Sequence, residues 1–290
     1  EIILFIAKHN LDIQLIIMSA TLDPETYKKY QESRGRNMPI IEIPGRTFPI
    51  EKYYNWAAGA VDKTISLAKE WKHTLHLVSW KSRIDEVILE LQKELWHGYE
   101  IMPLHAELSK EDQFKAVILP EDPNIIRVIV ATNVAEESIT IPYLNAVVDE
   151  WLHKVWRVNH EWNPELRIEP ITLANTNQRA WRVWRTQPGE YHRHNDTPIE
   201  DLHDYPEAAI ENSRLEREIL LFAKSWKDLY SIVSRGRKNG KEAFLHEVDL
   251  NLLQIWYDRL TSMWALDDFW NISPLWEDIL SIGLEPAHAR

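Results

Sequence analysis

Gln178, Arg182 and Arg185 are spaced at i, i+4 and i+7 in the stretch Gln178-Arg179-Ala180-Trp181-Arg182-Val183-Trp184-Arg185. On a helix, that spacing puts an amide and two guanidiniums on one face. Such a stripe suits an oxygen-rich anion such as a phosphate chain, because guanidinium donors fork onto paired oxygens. A solvated basic helix face has the same composition, so the stripe alone does not separate the two readings. Other polar residues follow apolar, β-branched runs. Thr132 and Asn133 follow 126–131, Asp149 closes 144–149, and Ser138-Ile139-Thr140 lies between them. Ser79 and Lys81 follow 74–78, and Ser19 and Thr21 follow 13–18.

The elements that must hold these residues alternate. The run 13–18 reads as a buried strand, and 74–78, 100–104, 126–131 and 144–149 read as strands. Helices are predicted at 1–9, at 82–95 with Ile84, Val87, Ile88, Leu91 and Leu95 as its apolar face, and from Ser109 onward. Asp23 before Pro24 marks another helix start. Strands alternating with helices imply a parallel sheet covered on both faces, with ligands gathering at the carboxyl ends of the strands. The turn-rich connector from Pro39 to Pro49 reads as a domain boundary. Residues 152–172 alternate as a hairpin with its turn at Asn163-Pro164. From about 200 the pattern changes to helices at 207–224, 242–246 and 249–263, a hairpin-like piece from Ala265 to Ile272, and a helix at 274–281. Three helices and a small wing suggest a winged-helix module.

Composition narrows the function. A net charge of −12 argues against holding nucleic acid by bulk electrostatics, so any such binding must be local. Segment 153–194 concentrates the basic side chains: Lys154, Arg157, Arg167, Arg179, Arg182, Arg185 and Arg193. The chain has no Cys, which fits a reducing cytosol, and no run of 18 apolar residues, so no membrane span is read. Gly240-Lys241 imitates a phosphate-binding loop, but Glu242 follows where Ser or Thr is needed. His192-x-His194 lacks further ligands and reads as a surface pair, so no metal site is predicted within the chain.

Met18-Ser19-Ala20-Thr21-Leu22-Asp23, Ile43-Pro44-Gly45-Arg46-Thr47-Phe48-Pro49, Leu77-Val78-Ser79-Trp80-Lys81 and Pro103-Leu104-His105-Ala106-Glu107-Leu108-Ser109 occur in that order. Ala131-Thr132-Asn133-Val134-Ala135-Glu136-Glu137-Ser138-Ile139-Thr140-Ile141-Pro142 and the stretch 178–185 follow. Met263-Trp264-Ala265-Leu266-Asp267-Asp268 and Ile272-Ser273-Pro274-Leu275 come last. Together these segments resemble motif III, the interdomain linker, motif IV and its sequel, motifs V and VI, and the winged-helix portion of the DEAH-box RNA helicases of superfamily 2. The resemblance covers essentially the whole chain. It implies an α/β fold, a RecA-like parallel sheet flanked by helices and followed by a mainly helical winged-helix module. Residues 1–44 would end the first RecA-like domain, 45–198 form the second, and 199–290 form the winged helix and the start of a helical bundle.

The resemblance also implies roles. Arg182 and Arg185 would be arginine fingers facing the γ-phosphate of ATP, and Gln178 would position phosphate or the attacking water. Ser138 would couple nucleotide state to RNA grip, and Thr140 would approach the ribose; Pro142 stands where many members carry Asp. Ser79, Lys81, Thr132 and Asn133 would hold the backbone of single-stranded RNA. Ser19 and Thr21 would couple hydrolysis to domain movement, and 152–172 matches a strand-separating hairpin. ATP and Mg²⁺ are the implied cofactors, with the Mg²⁺ ligands and the phosphate-binding loop expected on a first RecA-like domain outside these residues. The chain alone is then expected to be inactive, half of an ATP site in a cytoplasmic, monomeric enzyme. A catalytically dead RNA-binding or scaffold module is the alternative, and a DNA translocase of superfamily 2 fits motif V less well.

One feature departs from the family pattern. Trp80, Trp151, Trp162, Trp181, Trp184, Trp226, Trp264, Trp270 and Trp276 stand where it has Gly. The chain holds 14 Trp and 8 Gly, whereas ordinary usage of roughly 7% would give about 20 Gly. Restoring these nine would raise Gly from 8 to 17. Trp supplies neither a positive φ nor a close backbone approach cheaply. The expectation is a codon, UGA being the candidate, that means Gly in the source and is read here as Trp.

Overall fold

The runs Thr74–Leu77 and Ile126–Ala131 are buried along their whole length, as central strands covered on both faces must be. They lie at the middle of a six-stranded, all-parallel sheet. The computed structural model describes residues 16–19, 21–43, 48–54, 59–137, 139–158, 164–183, 187–194, 198–212, 214–238 and 244–283. In chain order the strands are β1 (Ile50–Tyr53), β2 (Thr74–Leu77), β3 (Tyr99–Leu104), β4 (Ile126–Ala131), β5 (Ala146–Asp149) and, after a separate hairpin of β6 (Leu152–Val158) and β7 (Pro164–Pro170), β8 (Gly189–Arg193). Their order across the sheet is β1-β8-β5-β2-β4-β3. The α/β expectation therefore holds for the sheet.

Period-two alternation divides the strands between two cores. Ile129 and Ala131 of β4 join Leu75, Leu77, Val147 and Tyr191 on one face. Val128 and Val130 turn to the other, against Ile84, Val87 and Leu91. Those three are the i, i+3 and i+7 positions of α3 (Lys81–Glu94), as the apolar spacing predicted. The remaining helices around the sheet are α2 (Ala60–Lys69), α4 (Lys110–Val117), α5 (Val134–Glu137) and α6 (Leu173–Ala180). Upstream, α1 (Pro24–Glu32) starts at Asp23, whose carboxylate accepts from the Glu25 and Thr26 amides.

Beyond the sheet, α7 (Ala209–Asn212), α8 (Glu216–Lys224), α9 (Leu229–Lys238), α10 (Leu250–Ser262) and α11 (Pro274–Ser281) surround a third core centred on the fully buried Trp256. An antiparallel bridge between Leu266 and Ile272 supplies the small hairpin.

Several sequence expectations change. The helix predicted over 207–224 is two pieces, α7 and α8, and α9 was not foreseen. Residues 244–246 are bends rather than the end of a helix. Residues 16–19 are not a strand, while the helix over 1–9 and the start of the 13–18 run lie outside the described residues. Pro164 pairs with Val158 as the first residue of β7, and Asn163 lies outside the described residues. The neighbouring strands β1 and β8, at one side of the sheet, went unread because they mix charged and apolar residues without a β-branched run. No helix among the described residues is long and apolar enough to cross a membrane.

Candidate functional site

Helix α6 carries Gln178, and its start is fixed locally. Thr172 caps it, its hydroxyl accepting from the Asn175 amide while Asn175 answers the Thr172 amide. The helix ends at Ala180, earlier than one continuous face to Arg185 would need. Tighter turns replace it, with the Arg182 amide donating to Arg179 O at 3.2 Å and the Val183 amide to Ala180 O at 3.3 Å. Val183 is buried against β8, where a Cβ on Gly189 would come within 2.6 Å of it. Close packing at Gly189 thus sets where the chain turns after Arg182.

The structure brings Gln178 and Thr21 together across 157 positions: Gln178 Nε2 donates to Thr21 Oγ1 at 2.5 Å. Ser19 stands beside them, its hydroxyl accepting the Thr21 amide at 3.1 Å. Arg182 is almost buried; its Nη1 donates to Ile139 O at 3.0 Å and its Nε to Gln178 O at 3.4 Å. This ties motif VI to the segment after α5, where Thr140 is exposed. Arg185 and Ser138 lie outside the described residues.

A second group forms at the carboxyl edge of the sheet. Leu77 is in register with both Ala131 and Asp149, and Leu104 with Ala131. The residues following these strands therefore share one edge: Ser79 and Lys81 after β2, Thr132 and Asn133 after β4, Glu107 after β3. Asn133 is exposed, and its carbonyl accepts the Glu136 amide at 2.8 Å at the start of α5. Ser79 is buried, and its hydroxyl has no partner among the described residues. Lys81 Nζ meets Glu107 Oε2 at 2.5 Å, and that bond raises the ammonium's pKa while lowering the carboxyl's.

Behind both groups is a buried ionic network that the sequence reading did not identify. Arg179 donates to Glu136 at 2.9 Å and to Asp149 at 2.6 Å, and Tyr191 donates to Asp149 at 2.7 Å. Asn175 donates to Glu136 at 2.5 Å. Burial alone would pull the guanidinium's pKa down, but Asp149 and Glu136 outweigh it and hold Arg179 above its ordinary value. Burial, and then Asp149, push the Tyr191 phenol well above its own. Asp149 at a strand end was visible in the sequence. That Arg179 turns inward onto Glu136 and Asp149 was not, because a basic stretch carries no mark of which member meets buried carboxylates. His192 corrects the surface reading: it is 2% exposed, bonded to Glu190 at 2.9 Å and stacked on Tyr53 at 4.6 Å.

Residues 58–187 match the family described as the helicase conserved C-terminal domain. The ATP-dependent RNA helicase HrpA homolog of Haemophilus influenzae is 34% identical over 189 residues, 61% of this chain and 14% of that protein. HrpA of Escherichia coli is 32% identical over 192 residues, with the same coverage of each. Residues 58–187 thus carry a helicase conserved C-terminal domain, and the chain is similar to ATP-dependent RNA helicases of the DEAH-box type. Two solved structures of E. coli HrpB, described as a DExH-box NTPase and a DEAH/RHA helicase, match 98% of this chain with TM-scores of 0.80 and 0.82. At 24% identity they establish the fold, a RecA-like sheet followed by a helical part, and the match spans 35% and 36% of those chains. The region thus spans a small part of its relatives' length.

Chemically, the α6 group offers amide and guanidinium donors, which fit the oxygens of a nucleotide phosphate. It does not fit a divalent cation, which needs oxygen ligands. No group of three His, Asp or Glu side chains among the described residues could hold a metal.

Proposed function

We propose that this chain supplies one half of the ATP site and one side of the RNA track of an ATP-dependent RNA helicase, coupling NTP hydrolysis to movement along single-stranded RNA and to duplex unwinding. Domain boundaries fall after residues 44 and 198. In this reading Arg182 and Arg185 stabilise charge developing on the γ-phosphate, Gln178 orients phosphate or water, and Ser138 and Thr140 face the nucleotide. Ser79, Lys81, Thr132 and Asn133 grip the RNA backbone, with Lys81 leaving Glu107 for a phosphate. The magnesium ligands lie on another domain.

The observation that carries the reading is the Gln178–Thr21 hydrogen bond. It links the segment that would sense hydrolysis to the segment that would coordinate the reacting phosphate, so movement of one is felt by the other. The β6–β7 hairpin supports a strand-separating role, since Trp156, Leu166 and Ile168 are exposed on it and offer apolar surface to unstacked bases. The Leu266–Ile272 bridge with α8, α9 and α10 supports the winged-helix reading.

The test is RNA-stimulated ATP turnover by the natural gene product with Arg182→Ala and Gln178→Ala. Loss of a guanidinium aimed at transition-state charge lowers kcat by roughly 10²–10³, with RNA affinity little changed. Unaltered turnover in Arg182→Ala would rule the assignment out.

A further inference from the structure

Among the described residues, five residues other than glycine have a positive φ, and all five are tryptophan: Trp71 (63°), Trp151 (68°), Trp226 (55°), Trp264 (59°) and Trp270 (63°). Trp is 14 of 290 residues. Asn and Asp, which tolerate the left-handed region best after glycine, supply none of the five.

Three of the five sit in one structural slot. After α2, the Trp71 amide donates to Ala68 O at 3.0 Å and the Lys72 amide to Leu67 O at 3.1 Å. After α8, Trp226 donates to Ala223 O at 2.8 Å and Lys227 to Phe222 O at 3.0 Å. After α10, Trp264 donates to Thr261 O at 3.0 Å and Ala265 to Leu260 O at 2.9 Å. This paired bonding is the helix stop whose left-handed residue is usually glycine. The chain itself follows that rule at α1, where Gly35 (φ 72°) donates to Glu32 O at 2.9 Å and Arg36 to Gln31 O at 3.1 Å. Gly283 (φ 75°) takes the same position after α11.

Trp270 occupies the other glycine position of short hairpins. Its amide closes a turn on Asp267 O at 2.9 Å, and the Asp267 amide reaches past it to Asn271 O at 3.0 Å, the pattern of a turn followed by a left-handed bulge. Trp151 joins β5 to β6, and its indole Nε1 is buried with no partner among the described residues. Packing does not compensate at the helix stops: Trp71, Trp226 and Trp264 are 67%, 88% and 85% exposed.

We propose that the natural polypeptide carries glycine at positions 71, 151, 226, 264 and 270, and that these sites share one codon whose reading in the source differs from the standard one. UGA fits, being one base from the tryptophan codon UGG and one base from the glycine codon GGA. Position 71 lies outside the nine that the family pattern marks, so backbone conformation reaches it independently. At Trp80 and Trp181 the φ angles are −152° and −69°, so the conformational argument does not extend to them. The proposal stands on backbone angles and hydrogen bonds, separately from the ATPase reading.

Peptide mass spectrometry of the protein isolated from its own organism tests it, read beside the codons of its gene. Trypsin releases Leu260–Arg290 as one peptide holding positions 264 and 270, and a glutamate-specific protease releases a peptide beginning at position 71. Fragment masses of glycine at these positions, over UGA codons, are the expected result. Tryptophan masses there, or UGG codons, would overturn the proposal.

Discussion

Replacing Trp226 by glycine in the chain as written should stabilise it. A non-glycine residue in the left-handed region costs about 1–2 kcal/mol, and glycine's greater freedom in the unfolded chain returns roughly 0.5–1 kcal/mol of that. The side chain is 88% exposed, so little burial is lost. The net gain is about 0.5–1 kcal/mol, or a rise in Tm of very roughly 1–4 °C for a chain of this size. Trp71→Gly should add a similar gain, since α2 and α8 belong to separate hydrophobic cores and distant sites add. Urea denaturation followed by circular dichroism measures this without relying on indole fluorescence. Trp156→Gly is the control, an exposed tryptophan on strand β6, where glycine weakens the strand by about 0.5–1 kcal/mol. The reasoning fails if Trp226→Gly lowers stability as Trp156→Gly does.

Three further outcomes follow from the site. Arg179→Met leaves Glu136 and Asp149 facing each other without their cation, and truncating one partner of a buried ionic group costs about 3–5 kcal/mol; a denaturation midpoint unchanged from the parent would contradict the network. Arg179→Lys should not rescue it, because one ammonium cannot reproduce the forked contacts. Gly189→Ala drives a Cβ into Val183 and Asn145 O, at 2.6 and 2.9 Å, and should destabilise by about 1–3 kcal/mol, detectable as a lower Tm. His73 gives a pH dependence. Burial, then the Arg127 charge, lower its pKa below 6.5, although its Nδ1 accepts the Arg127 amide at 3.0 Å. The folded state therefore binds this proton less readily than the unfolded state. The stability from His73 is present above about pH 6.5 and is lost as pH falls below that value. Midpoints measured from pH 7.5 to 5.5 should fall, and fall less steeply in His73→Phe.

Local chemistry wrote much of this protein into its sequence. The strand run at 74–77, the β-branched run at 126–131, the apolar face of α3 and the Asp23–Pro24 start of α1 are determined by neighbours a few residues away, so their types and periods are readable. Polar residues at strand ends were readable too, because a parallel sheet puts every such end on one edge. The tertiary structure decided what depends on distant partners. The mixed strands β1 and β8 form only because β5 offers β8 an edge and β8 offers one to β1. Helix α6 stops at Ala180 because Val183 must pack where Gly189 leaves room. Arg179 turns inward because Glu136 and Asp149 neutralise it there, while its neighbour Gln178 finds Thr21 across 157 positions. Sequence marked most of the unusual tryptophans by pattern. Backbone conformation gave the physical reason at five of them, since a left-handed φ is a property of the folded chain and not of the residue written there.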